Sequence, residues 1–312
     1  MSGFELRPLT LGELVDRAFL IYHGNFWLFA GIMVIPSCLI IPIRFFLLRD
    51  RGVPFPWNTP TTQSHAPAYA LGYLFIYWIV YAVAETATTY AVADAYLGRP
   101  STIRKAYGKI RGRLWRAIGV TLSVYIRTLV LMFLFAVLGA LAGIALTAAM
   151  KLGNAINAPA VAVISVSLAV AGFALGLLLS ARYTLSLPAV LLEDIKGRAG
   201  IRRSVQLSLG RRGQIFVALL LGLLLSYLAV ILFEGPFYLV IAVMGIKGQL
   251  PNWLILGISL SGTAGAAGAS PLLMIALVLC YYDLRIRKEG FDLQHMMTSL
   301  PAPNPAVSTT LT

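Results

Sequence analysis

Residues 117–150 read AIGVTLSVYIRTLVLMFLFAVLGALAGIALTAAM, with a single charge, Arg127. A helix needs about 20 apolar residues to cross the roughly 30 Å hydrocarbon layer of a bilayer, and this run exceeds that length. It is apolar on every face, whereas a barrel strand alternates polar and apolar residues over about ten positions. The stretch is therefore read as a membrane-crossing helix, whose backbone groups satisfy one another where no water is present.

Similar runs flank it at 26–48, 68–96, 158–192, 215–246 and 253–282. Six spans are expected in an all-α, polytopic membrane bundle. The composition agrees: 312 residues are 59% hydrophobic and 12% charged, with a mean hydropathy of +0.82. A water-soluble domain carries about 25% charged residues, so this chain lacks the polar surface to cover itself in water. A soluble enzyme is excluded. The expected organisation is a cytoplasmic amphipathic segment at 1–25, a membrane domain at 26–290 and a disordered cytoplasmic tail at 291–312. The first 25 residues mix acids with bases and lack the pattern of a signal peptide, so they are expected to be retained.

The net charge of +13 reports topology rather than nucleic acid, because the cations collect in the connections between spans. One side holds 18: Arg7, Arg17, Arg99, Arg104, Lys105, Lys109, Arg111, Arg113, Arg116, Lys196, Arg198, Arg202, Arg203, Arg211, Arg212, Arg285, Arg287 and Lys288. The other holds 4: Arg49, Arg51, Lys151 and Lys247. The positive-inside rule then places both termini in the cytoplasm of a cell with an inner membrane.

Three stretches align when Ala18, Ala106 and Ser204 are placed in register. They are RPLTLGELVDRAFLIYHGNFWLF, GRPSTIRKAYGKIRGRLWRAIGV and GRAGIRRSVQLSLGRRGQIFVAL. Phe19, Tyr107 and Val205 follow the anchors, and Gly24 falls opposite Gly112. Each stretch is a short amphipathic segment leading into a pair of spans, and such a segment is expected to lie in the headgroup plane with its apolar face toward lipid. The even spans close on acids: Asp94, then Glu193 and Asp194, then Asp283. The pattern describes three repeats of interfacial helix plus transmembrane hairpin.

RPLTLGELVDRAF, GRPSTIRKAYGKIRGRLW, GRAGIRRSVQLSLGRR and YYDLRIRKEGFDL together resemble the glycerophosphoryl diester phosphodiesterase membrane-domain family and related bacterial six-span proteins, over about residues 4–293. The resemblance implies a membrane fold and no catalytic residue. Some members join this domain to a soluble phosphodiesterase barrel, and here none of the three histidines begins the His-Arg pair of such barrels.

Charges within spans cost about 2.5–3.5 kcal/mol each on insertion scales, which makes them the leading functional candidates. Glu85, Arg127 and Arg182 each lie 11 residues from the cytoplasmic end of their span, about 16 Å into the bilayer at 1.5 Å per residue. An intramembrane polar cluster is expected, with Glu85 paired to one or both arginines. Two readings stay open: an ion pair that fixes helix register, and a site for an anionic headgroup or transported anion at the uncompensated arginine. Glu234, before Pro236, is expected at a kinked, partly solvated helix end, and Arg44 is expected to reach the outer headgroups.

Gly139 with Gly143, and Gly172 with Gly176, have GxxxG spacing for close helix contact, and a discontinuous helix is conceivable at 262–271. Cys38 and Cys280 read as buried thiols, and no metal or cofactor site is expected. Phosphate loops, nucleophile elbows and HExxH are absent, so the chain reads as non-enzymatic. Its expected partners are the bilayer, anionic phospholipids and a membrane or cytoplasmic protein. Headgroup or partner contact is assigned to Arg104, Lys105, Lys109, Arg111, Arg113, Arg202, Arg203, Arg211 and Arg212. The alternative is a transporter or channel for a small anionic or lipid-like solute through the Glu85, Arg127 and Arg182 cluster.

Overall fold

The computed structural model describes residues 7–51, 66–151, 158–246, 250–291 and 297. The Pro-rich connection after the first span and the tail beyond residue 291, apart from 297, lie outside the described residues. Among those described, every regular element is helical. The order is α1 (Leu11–Gly24), α2 (Phe26–Arg51), α3 (Ala66–Tyr96), α4 (Ile103–Ile110), α5 (Leu114–Lys151), α6 (Ala158–Ser180), α7 (Ser186–Leu192), α8 (Gly197–Ser208), α9 (Arg212–Met244) and α10 (Asn252–Glu289).

Five stretches, α2, α5, α6 with α7, α9 and α10, are long and apolar enough to cross a membrane. The chain is thus an all-helical, multi-pass membrane protein by length and composition. The sixth expected span, α3, is 31 residues long, and it is not in that set, which covers the described residues. Much of its inner half is buried by protein. The fourth expected span is broken: α6 ends at Ser180, a 3-10 turn covers Ala181–Tyr183, and α7 restarts at Ser186. In contrast, α9 runs unbroken through Pro236 and α10 through Pro271, so neither anticipated break occurs.

The short helices form where the sequence caps them. Thr10 opens α1 with a full capping box, its hydroxyl accepting from the Glu13 amide while the Glu13 carboxylate accepts from the Thr10 amide. Thr102 caps α4 by accepting from the Lys105 amide at 3.3 Å. Arg111 and Leu209 end α4 and α8, and each is followed by a glycine in the left-handed region, Gly112 at φ 85° and Gly210 at φ 79°. That conformation turns the chain into the next long helix and is strained for residues with a Cβ. Both glycines stand six positions after the aligned Ala106 and Ser204, as Gly24 does after Ala18.

The apolar faces of these helices turn toward protein instead of lipid. Leu14, Ala18 and Ile21 of α1, Ala106 and Ile110 of α4, and Gly200, Ser204 and Leu207 of α8 are buried. They join the inner ends of α3, α7, α9 and α10 in one core that includes Tyr96, Leu185, Ile215 and Tyr281. The far ends of α5, α6 and α9 are dressed in exposed apolar side chains such as Phe133 (73% exposed), Val163 (65%) and Leu232 (71%). At about 25 cal/mol per Å² such exposure is prohibitive in water and favourable in hydrocarbon.

Glycines bring α5 against α6. A Cβ at Gly139 would meet the Leu168 carbonyl, one at Gly143 the Ser165 Cα, one at Gly172 the Phe135 carbonyl and one at Gly176 the Met132 Cα. All four expected contact glycines lie in this one interface, where small faces let backbones approach and gain dispersion. Cys280 is buried, whereas Cys38 is exposed on α2, contrary to expectation, and both are free. No cluster of potential metal ligands occurs among the described residues.

Candidate functional site

Acids at the inner ends of α3, α7 and α10 each fasten a neighbouring segment. Asp94 at the end of α3 accepts from Lys109 of α4 at 2.7 Å. Glu193, just after α7, accepts from Arg203 of α8 at 3.0 Å and from the Tyr281 hydroxyl at 2.7 Å. Asp283 of α10 accepts from the Leu9 amide at 2.7 Å and from Arg287 at 3.0 Å. The bond from Leu9 joins α10 to the segment leading into α1, and Arg287 also donates to the Leu9 carbonyl at 2.6 Å. Asp194, the one non-glycine residue with positive φ among the described residues, accepts from Arg113 and Arg116, each at 2.8 Å.

The nine cations assigned to headgroup or partner contact therefore divide. Lys109, Arg113 and Arg203 are structural, held by the acids just named, and proximity of Glu193 and Glu289 raises the pKa of Arg203 against the opposing effect of burial. Arg212 is half-buried with its Nε unpartnered. Arg104, Lys105, Arg111, Arg202 and Arg211 are exposed and make no ion pair among the described residues. Lys105 donates to the Pro100 carbonyl and Arg211 to Gln214, both neutral acceptors. Trp27 and Trp115 are 83% and 84% exposed, each nine positions after its aligned alanine. Tryptophan at the foot of a membrane helix is the usual marker of the headgroup level.

The expected pairing of Glu85 with an arginine does not form. Glu85 of α3 accepts from the Tyr125 hydroxyl of α5, and no salt bridge joins it to Arg127 or Arg182. Arg127 donates to Ser123, one turn earlier on its own helix, and both arginines gather on Tyr183 instead. The guanidinium of Arg127 lies 6.0 Å from the Tyr183 ring centre and that of Arg182 lies 4.7 Å away. The break between α6 and α7 makes this possible, because it turns residues 181–183 out of the helical register, with the Arg182 carbonyl tied to Ser204 of α8 at 2.7 Å. The Arg182 Nε is buried without a partner.

The two arginines stand beside exposed apolar surface. After Trp115 at its start, the large exposed apolar side chains of α5 run from Ile126 to Leu146, and those described on α6 run from Val163 to Leu175. Arg127 and Arg182 stand at the edge of that belt. Measured from the far ends of their hairpin, Arg127 to Lys151 and Ala158 to Arg182 each span 24 positions, about 36 Å at 1.5 Å per residue, more than the roughly 30 Å hydrocarbon layer.

A second charged pair escaped the sequence reading. Arg44 of α2 and Glu234 of α9, expected as separate outer-face residues, meet at 2.6 Å with their side chains 21% and 9% exposed. Gly262 of α10 lies so close to both that a Cβ there would collide with them. The matching small-residue stretch of α10 was the available signal, since a charged pair wedged between helices needs a neighbour without a side chain.

Comparison of the chain with family models, with curated proteins and with solved structures gives no match.

Proposed function

We propose that the chain is a non-enzymatic integral protein of a bacterial inner membrane, an accessory or scaffold module whose cationic end binds anionic lipid headgroups or a partner carrying the same charge. Six spans arranged as three units of interfacial helix plus hairpin are part of this reading. The thrice-repeated order of one short and two long helices supports it, as do the matched positions of Gly112 with Gly210 and of Trp27 with Trp115. Membership of the glycerophosphoryl diester phosphodiesterase membrane-domain family belongs to the same proposal, and so do cytoplasmic termini.

The observation that carries the reading is the exposure of five cations, Arg104, Lys105, Arg111, Arg202 and Arg211, together with that of Trp27 and Trp115. Each cation near an anionic surface contributes about 1 kcal/mol, so five give a substantial and salt-sensitive attraction. The test replaces all five by glutamine and compares the anionic phospholipid retained through purification, by mass spectrometry, with that of the native chain. Loss of most of it is the expected result, and undiminished retention removes the proposal.

A second reading, carriage of a small anionic or lipid-like solute past Glu85, Arg127 and Arg182, is favoured by the lack of a carboxylate on either arginine. Flux through liposomes that disappears in Arg127→Ala and Arg182→Ala protein would select it.

A further inference from the structure

We propose that Arg127, Arg182 and Tyr183 form a binding site for one phosphate group, entered sideways from the edge of the apolar belt. The proposal rests on the reading of the chain as membrane-spanning and narrows its ligand chemistry from general anionic attraction to a single built site.

Two guanidinium groups share one aromatic ring, at 6.0 and 4.7 Å from its centre. Cation–π attraction holds each of them there, but their like charges repel and neither makes a salt bridge among the described residues. The nearby acids are spent: Glu85 on Tyr125, Glu193 on Arg203 and Tyr281, Asp194 on Arg113 and Arg116. The buried Nε of Arg182 is a donor without an acceptor. A buried donor in a finished site has a partner, so the position calls for an acceptor supplied from outside the chain. Arg127 uses Nη1 on Ser123 and has its remaining donors free on an exposed surface. Planar, forked donors on two arginines that share one ring match the oxygens of a phosphate.

The location selects the same chemistry. Arg127 follows Ile126, the first large exposed apolar residue of α5 after Trp115, and Arg182 lies seven positions after Leu175, the last on α6. A diacyl chain lying along that surface would carry its phosphate to the arginine pair. The shared ligand chemistry is a phosphate mono- or diester oxygen set, from a lipid headgroup or from free phosphate.

The experiment uses the full chain in a neutral detergent and follows its thermal midpoint against dioctanoyl phosphatidic acid, against inorganic phosphate and against dioctanoyl phosphatidylcholine. A saturable rise with the anionic lipid is expected, weakened about tenfold or more in apparent affinity by Arg127→Gln and by Arg182→Gln. Arg127 is exposed, and its hydrogen bonds are to Ser123 on its own helix, so its variant folds even if Arg182→Gln does not. Arg127→Lys keeps the charge but loses the fork and should fall between the two. A rise with inorganic phosphate alone, equally sensitive to Arg127→Gln, assigns the site to the free anion; a rise with the lipid alone assigns it to the headgroup. The five-cation glutamine variant should keep the response. No saturable rise with either phosphate probe, or a response that survives Arg127→Gln unchanged, overturns the site. Loss of response in the five-cation variant with retention in Arg127→Gln also overturns it while leaving the headgroup proposal standing.

Discussion

Replacing Gly172 by alanine should pry α5 from α6, while the same change at Gly119 should not. At 172 the added Cβ would stand 2.8 Å from the Phe135 carbonyl carbon, 3.3 Å from the Ala136 nitrogen and closer still to the Phe135 oxygen. All three are backbone atoms, so no side chain can swing aside, and the helices must separate by about 1 Å to restore ordinary carbon contacts of about 3.5–4.0 Å. Each atom pair across such an interface contributes about 0.1–0.2 kcal/mol, and a gap of 0.5–1 Å forfeits a quarter to a half of it. For about forty pairs the loss is about 1–4 kcal/mol, offset by about 0.5–1 kcal/mol from alanine's better helix propensity. Gly119 is exposed on the same α5 with nothing within 4 Å of its missing Cβ. There only the propensity gain operates. Thermal unfolding of both variants in one detergent, followed by circular dichroism, should therefore move the midpoint down for Gly172→Ala and level or up for Gly119→Ala. Should both move alike, backbone proximity is not what holds the hairpin together.

Three further outcomes follow from named contacts. The Glu13 carboxyl is held down at about 2, first by the Thr10 amide and then by Arg7. With its folded pKa depressed from 4.5, its contribution is complete above that value and is lost as pH falls toward 2. The midpoint difference between native and Glu13→Gln protein should therefore be constant above pH 5 and vanish near pH 2. Asp283→Asn removes the charge that holds Arg287 and weakens the bond to the Leu9 amide, costing about 1–3 kcal/mol; trypsin should then cut at Arg7 and Arg17 markedly faster than in the native chain. Glu234→Gln leaves Arg44 without its carboxylate between helices and should cost about 3–5 kcal/mol, whereas the exchange Arg44→Glu with Glu234→Arg should recover part of it. If the exchange is no better than the single variant in thermal unfolding, the pair is not energetically coupled.

The long helices were legible because a continuous apolar run of more than 20 residues has one stable arrangement in a bilayer. The short helices were legible because Leu14, Ala18 and Ile21, or Ala106 and Ile110, keep helical spacing between polar neighbours. The individual acids and arginines were visible too, since charge stands out against such a background. Their partners were not. Glu85 finds Tyr125 at a separation of 40 residues, and Arg44 finds Glu234 at 190, distances over which no periodicity reports contact. Hydropathy likewise does not distinguish an apolar residue facing lipid from one buried in protein, so a 38-residue α5 reads as one long span.

By itself, then, the sequence determined that this chain is helical, apolar and asymmetric in charge, because those properties depend on residues near one another along the backbone. Only the tertiary structure decided which cations are spent on holding helices together and which remain exposed. It also decided that two arginines meet over Tyr183 at a break in the helix. Those outcomes depend on which side chains distant helices bring within 3–6 Å, and a linear order of residues carries no such distances.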